Sequence, residues 1–240
     1  MEAKRMYYLM ENLSPDTPIF HYMDLDYFIA MLASRTLYVK RKRAYSDVFE
    51  SRLPYQKMFK LHSAAEHTVS ESDDFQEGIQ LYDDFQKSGE LLTSCWTWEA
   101  EENYLMWNSY SSRIGVRIAT TIDEFVCSFK QYYFNIWCGK MKYEDQNAGG
   151  PLMEQLFSKA YAYRDEREIR FYFFPLSLKF FPDLAEAKDF AKIKIDPSIL
   201  ISEVRLSPLI QPQAALKIKE ILLSEYKIKK ITTSKIKIRV

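Results

Sequence analysis

The chain has 240 residues, 47% of them hydrophobic and 28% charged, with 33 basic residues balanced by 33 acidic ones. This is ordinary globular composition, in a chain long enough to bury roughly 70–75% of its unfolded surface without covalent staples. The even charge argues against generic nucleic-acid binding, which rests on neutralised phosphates. Six glycines argue against glycine-rich nucleotide loops.

Three cysteines, Cys95, Cys127 and Cys138, lack C-x-x-C spacing, which disfavours a zinc site or a secreted disulfide scaffold. Met1 to Met10 is charged and has no signal-peptide core. No run reaches the roughly 20 apolar residues of a membrane span. The expectation is a soluble, cytoplasmic protein with no membrane partner.

In chain order, Ile19-Phe20-His21-Tyr22 reads as a strand. Asp24 is placed to cap a helix with Leu25, Phe28, Ile29 and Leu32 on one face. Thr36 to Val39 returns as a strand and leads into a basic connector, Lys40 to Arg43. Residues 51–88 are helical and polar in pattern. Leu91 to Trp98 is strand-like, followed by the acidic turn Glu99-Ala100-Glu101-Glu102. Leu105, Met106, Ser109 and Tyr110 then form a helical stripe beside Trp107.

Gly115 to Ala119 is a further strand, Ile122 to Phe129 a helix and Tyr132 to Tyr143 an irregular aromatic strand. Asn147 to Pro151 is a loop, Leu152 to Tyr161 a helix, and Glu166 to Phe174 a strand stopped by Pro175. Ala191 to Ile195 and Val204 to Leu206 are short strands on either side of Asp196-Pro197. Ala214, Ala215, Ile218, Ile221 and Leu222 mark an amphipathic helix. Lys227 to Val240 carries six basic and no acidic residues, and Lys235, Lys237 and Arg239 alternate as on a solvated edge strand. No linker divides the chain. The expected fold is one α+β domain over residues 1–240, a mixed sheet with inserted and flanking helices.

Three patches could carry chemistry. On a strand, Glu166, Glu168 and Arg170 would share a face, in successive steps of about 6–7 Å. Paired carboxylates raise each other's pKa and an adjacent arginine lowers both, so the set suits a general base or a cation stabiliser. A surface ion-pair ladder is the bland alternative. His21, between Phe20 and Tyr22, could move a proton or bond a ribose, or be a structural histidine. Trp107 and Tyr110, three apart on a helix, could stack on a flat ligand ring or fill the core. No Walker loop, G-x-G-x-x-G, H-E-x-x-H or G-x-S-x-G occurs.

Taken in order, four blocks carry a resemblance. They are Phe20-His21-Tyr22 with Thr36-Leu37-Tyr38, Ser94-Cys95-Trp96-Thr97 with Leu105 to Tyr110 and Gly115, Met141-Lys142-Tyr143, and Lys159 with Glu166, Glu168 and Arg170. The chain resembles the bacterial domain-of-unknown-function 2971 family over roughly residues 19–210, with the C-terminal helix and basic strand of 211–240 beyond that core. Where that family has Phe-Asn-Asp-Pro, this chain reads Tyr45-Ser46-Asp47-Val48.

More distantly it is similar to ADP-ribosyltransferases, whose early His, middle Tyr or Ser and late Glu would here be His21, Tyr110 or Ser94, and Glu168. The second resemblance implies NAD as a substrate and ADP-ribosyl transfer or NAD hydrolysis as the reaction, in a bacterial toxin or phage-defence setting. In that picture His21 and Tyr22 hold a ribose, and Trp107 or Tyr110 stacks on nicotinamide. Glu168 binds the ribose 2′-hydroxyl, Glu166 presents a protein or nucleic-acid acceptor, and Arg170 keeps Glu168 ionised. Two other readings stay open. One is a non-catalytic regulatory module of a defence system. The other is a hydrolase of nucleotides or nucleic acid with Mg²⁺ on Asp47, Glu166 and Glu168.

Overall fold

The computed structural model describes residues 7–10, 12–41, 91–111, 114–130, 134–143, 156–175 and 189–238. Asp47, the helical pattern over 51–88, the 147–151 loop, the first residues of the helix expected from Leu152, and Arg239 lie outside them.

Among the described residues the chain is a mixed α/β fold built on a large mixed sheet. The strands are β1 (Tyr7–Leu9), β2 (Pro18–Asp24), β3 (Thr36–Arg41), β4 (Leu92–Thr97), β5 (Gly115–Thr121), β6 (Phe134–Lys140), β9 (Glu168–Pro175), β10 (Phe190–Lys194), β11 (Glu203–Leu206) and β12 (Ile231–Thr233). Their main path runs β1-β6-β9-β4-β2-β5-β11-β12, and β10 joins through β3, which pairs with β4. The β1·β6 and β11·β12 pairings are parallel and the others antiparallel. A separate ladder joins β7 (Lys142–Tyr143) to β8 (Ser158–Lys159).

Helices α1 (Leu25–Ser34), α2 (Tyr104–Tyr110), α3 (Ile122–Cys127), α4 (Pro197–Leu200) and α5 (Pro212–Ser224) accompany the sheet, with a 3₁₀ turn at Tyr161–Glu166. None is long and apolar enough to cross a membrane. The main core fills one face with Phe28, Ile118, Phe125, Phe129, Ile169, Phe171 and Phe173. A smaller cluster of Leu91, Met141, Leu156, Phe157 and Tyr172 forms on the other. Alternate β9 side chains supply both, as the two-residue period requires.

Local chemistry explains most boundaries. Thr121 and Glu124 form a capping box at the start of α3. Asp24 occupies the position before α1, yet its side chain makes no capping hydrogen bond. Gly115 has no substitute, since an added Cβ would meet Ser111 Cβ at 2.2 Å where α2 closes on β5.

Several elements differ from the sequence pattern. β1 was not expected, and three residues are too few for a periodic signal. The helix expected to reach Tyr161 has given way by Ser158, because Lys142 and Tyr143 pair there and hold β8 extended. The tail strand is Ile231–Thr233, paired in parallel with β11, rather than the Lys235 alternation. The expected strand from Glu166 starts two residues late. Glu166 ends the 3₁₀ turn and Arg167 takes a left-handed conformation (φ 45°) before β9 begins.

Candidate active site

The site originates in a split in the sheet. Along one edge β4 pairs continuously with β9, from Leu92↔Phe173 to Thr97↔Glu168. Its other edge is shared: β3 takes Leu92 and Thr93, β2 takes Thr97. Neither β2 nor β3 pairs with Ser94, Cys95 or Trp96 among the described residues, and a cavity of about 500 Å³ opens between the diverging strands. Its walls come from β2, β3, β4, α2, β8 and the 3₁₀ turn.

His21 answers the backbone problem that the split creates. A buried carbonyl without a partner is costly, and His21 Nδ1 lies 2.8 Å from the carbonyl oxygen of Cys95. A carbonyl only accepts, so Nδ1 carries the proton and Nε2 is left as an acceptor. Burial lowers the His21 pKa against the opposing pull of that hydrogen bond. The ring leans on Trp96, with centroids 5.1 Å apart.

The acidic end of the cavity is a four-residue network. Arg170, fully buried, donates from Nε to Glu168 Oε1 at 2.6 Å and from Nη2 to Oε2 at 2.9 Å. Lys159 Nζ bridges Glu168 Oε2 at 3.0 Å and Glu166 Oε2 at 2.6 Å. Tyr110 donates to Glu166 Oε1 at 2.7 Å. The Tyr143 hydroxyl accepts the Glu168 amide at 2.7 Å. Burial opposes ionisation of Glu168, yet Arg170, Lys159 and the Cys95 thiol together hold its pKa below the ordinary value. Burial, reinforced by the Glu166 charge, raises the Tyr110 pKa, so the phenol stays a donor.

The two carboxylates therefore differ. Glu168 is 3% exposed and its oxygens are taken by Arg170, Lys159 and Cys95. Glu166 is partly exposed, and each oxygen receives one donor, leaving acceptor capacity toward the cavity.

Among the residues singled out from sequence, His21, Tyr22, Ser94, Tyr110, Glu166 and Glu168 line this one cavity. Arg170 stands behind Glu168, out of the cavity. The stacking role given to Trp107 is corrected: it is 1% exposed, packed edge-on to Tyr22 at 4.8 Å, with Nε1 bonded to Glu102. Of the pair three apart on α2, the core took Trp107 and the cavity took Tyr110. The shared strand face of Glu166 and Glu168 is corrected too, because the bend at Arg167 and the common Lys159 bring them together instead.

Lys159 and Cys95 stand in the quoted blocks without a role there, and Lys40 and Tyr163 join the cavity lining with no role in the sequence pattern. Nothing local marks them, since each becomes part of a site only through strand divergence. Asp47, offered as a metal ligand, lies outside the described residues. Among those described, no group of three His, Cys, Asp or Glu side chains converges to hold a metal ion. The point shared by Glu166 and Glu168 is filled by the Lys159 ammonium.

No family model, curated protein or solved structure matches the chain. The chemistry of the cavity has to be read from its own groups.

Proposed function

We propose that the cavity binds NAD and cleaves its nicotinamide–ribose bond, passing ADP-ribose to water or to an acceptor. The observation that carries this reading is the convergence of His21, Tyr110 and the Glu166/Glu168 pair, from three separate segments, on one cavity of about 500 Å³. That volume is within the range of small-molecule sites, roughly 300–1,000 Å³. The resemblance to ADP-ribosyltransferases assigns the same histidine, tyrosine and glutamate.

Each group has a task that its surroundings permit. His21 Nε2 accepts from a ribose hydroxyl. Tyr110, half exposed at the cavity, offers aromatic surface to a flat ring. The C1′–N bond breaks with its electron pair leaving on nicotinamide, which departs neutral. Positive charge then develops on the ribose, where the fixed negative end of the network stabilises it. Glu168, saturated by donors, supplies charge and rigidity. Glu166, with acceptor capacity left, bonds the ribose hydroxyl or takes the proton of the incoming water or acceptor.

The non-catalytic module is the second reading, favoured by the saturation of Glu168. In that case the cavity binds the nucleotide and leaves it intact.

Incubation of the purified chain with NAD, read as nicotinamide release, tests the proposal. Glu166→Gln should lower release at least about hundred-fold, the lower end of a general acid–base contribution, while the fold is kept. An NAD-induced thermal shift without release would select the binding module. Neither release nor shift would sink both readings.

A further inference from the structure

From the cavity rim, the outward face of β3 and β10 continues as a basic, aromatic strip. The pleat sends Leu37, Val39, Ala191 and Ile193 into the core and leaves Tyr38, Lys40, Phe190, Lys192 and Lys194 outward. Register places Lys192 opposite Tyr38 and Phe190 opposite Lys40. The Lys192 ammonium lies 5.7 Å from the Tyr38 ring centroid, and the Phe190 ring 5.4 Å from it. Tyr38 is 50% exposed, and both Tyr38 and Lys40 also line the cavity.

Among the described residues of β3 and β10 the strip carries three lysines and no carboxylate, with Asp189 exposed just before Phe190 at one end. The flanking Asp196 is engaged by Lys130 at 2.5 Å. A half-exposed tyrosine on a sheet face costs hydrophobic burial, and Lys192 and Phe190 shield only part of its ring.

We infer that the β3/β10 face is a platform for single-stranded nucleic acid, leading a strand to the mouth of the cavity. A base stacks on Tyr38, and the backbone phosphates meet Lys40, Lys192 and Lys194. Stacking accepts any base, and lysine on a phosphate reads no sequence, so binding tolerates sequence and depends on salt. Continuity with the cavity makes this strand the acceptor, a role that rests on the transfer reading given above. The binding itself does not.

The test is fluorescence polarisation of the full chain with labelled oligo(dT) and oligo(U) of about 15 nucleotides, within the site sizes of single-strand platforms. Across a salt series, affinity should fall as salt rises. Lys192→Ala with Lys194→Ala should reduce the slope of log affinity on log salt by about 1.4, for two phosphates. Tyr38→Ala should weaken binding about tenfold, and Tyr38→Phe should keep it. A preference between the two oligonucleotides would tell DNA from RNA.

Nicotinamide release without acceptor should be unchanged in the double lysine variant. A defective platform and a defective NAD site are therefore told apart. No binding of either oligonucleotide at low salt, or binding that ignores all three variants, overturns the inference. Labelling of lysate material that survives nuclease and is lost with protease overturns the acceptor role alone, by making the acceptor a protein.

Discussion

Two ion clusters flank the sheet, and they end differently. At the cavity, Glu166 and Glu168 meet Lys159 and Arg170. At the far side, Glu102 and Glu203 meet Arg205 and Lys230. Both pair two carboxylates with two cations. The second is closed by the tail: the Lys235 amide donates to Glu102 at 2.9 Å, and Thr232 donates to Glu203 at 2.9 Å. Trp107 Nε1 takes a further position on Glu102. Backbone, indole and hydroxyl donors fill the places that a ligand would use.

The first cluster has no such closure on its Glu166 side. Tyr110 and Lys159 each supply one donor, and the cavity lies beyond. Charge pairing alone thus does not make a site. Spare acceptor capacity facing a cavity does, and only one of these clusters has both.

The contrast can be tested, beginning with the group buried deepest. Arg170→Met leaves Glu168 buried with only Lys159 as its cationic partner. Breaking a buried pair from one side costs about 3–5 kcal/mol, so chemical denaturation should show a loss of that order. A loss under about 1 kcal/mol, the surface-pair range, would mean that Lys159 and water suffice for Glu168.

The tail cluster should be revealed by acid. Burial of Glu203 is outweighed by Lys230, Arg205 and Thr232, which lower its pKa to about 2. The folded pKa is below the unfolded one, so this stability is complete above about pH 4.5 and is lost as pH falls toward about 2. In melting profiles, Glu203→Gln should flatten that acid limb relative to the parent chain. An unchanged limb would move the acid sensitivity to the other carboxylates with lowered pKa, Asp196, Glu102 and Glu168.

The smallest stability effect belongs to Glu166→Gln. Glu166 is partly exposed, and the carbonyl oxygen of its amide variant still accepts from Lys159 while the amide nitrogen donates to the Tyr110 hydroxyl, so the melting temperature should correspond to a change within about 1 kcal/mol. If it matched the Arg170 variant instead, Glu166 would be as structural as Glu168, and the distinction between the two carboxylates would fail.

Much of this fold is legible in the chain because local rules dominate there. The β2–α1–β3 opening, α3 with its capping box and α5 with its amphipathic stripe all follow from periodicity and caps. The alternation of Ile169, Phe171 and Phe173 identifies the core face of β9 in the same way. The cavity-lining residues His21, Tyr110, Glu166 and Glu168 are legible for the same reason, since they stand in short motifs.

What eluded the pattern was long-range. Trp107 and Tyr110 have the same helical credentials, and only packing against Tyr22 assigned one to the core. Lys159 precedes Glu168 by nine residues with no motif between them, and the bend at Arg167 is what folds it back.

By itself, then, the sequence determined which segments become strands and helices and which carry charge, because those follow from neighbours within a few residues. The tertiary structure alone decided that β4 shares one edge between β2 and β3, since strand pairing depends on partners over 50 residues away. That sharing opens the cavity, sets His21 against the Cys95 carbonyl and brings Lys159 between two glutamates. The site exists because backbone hydrogen bonds that could not continue had to be answered by side chains.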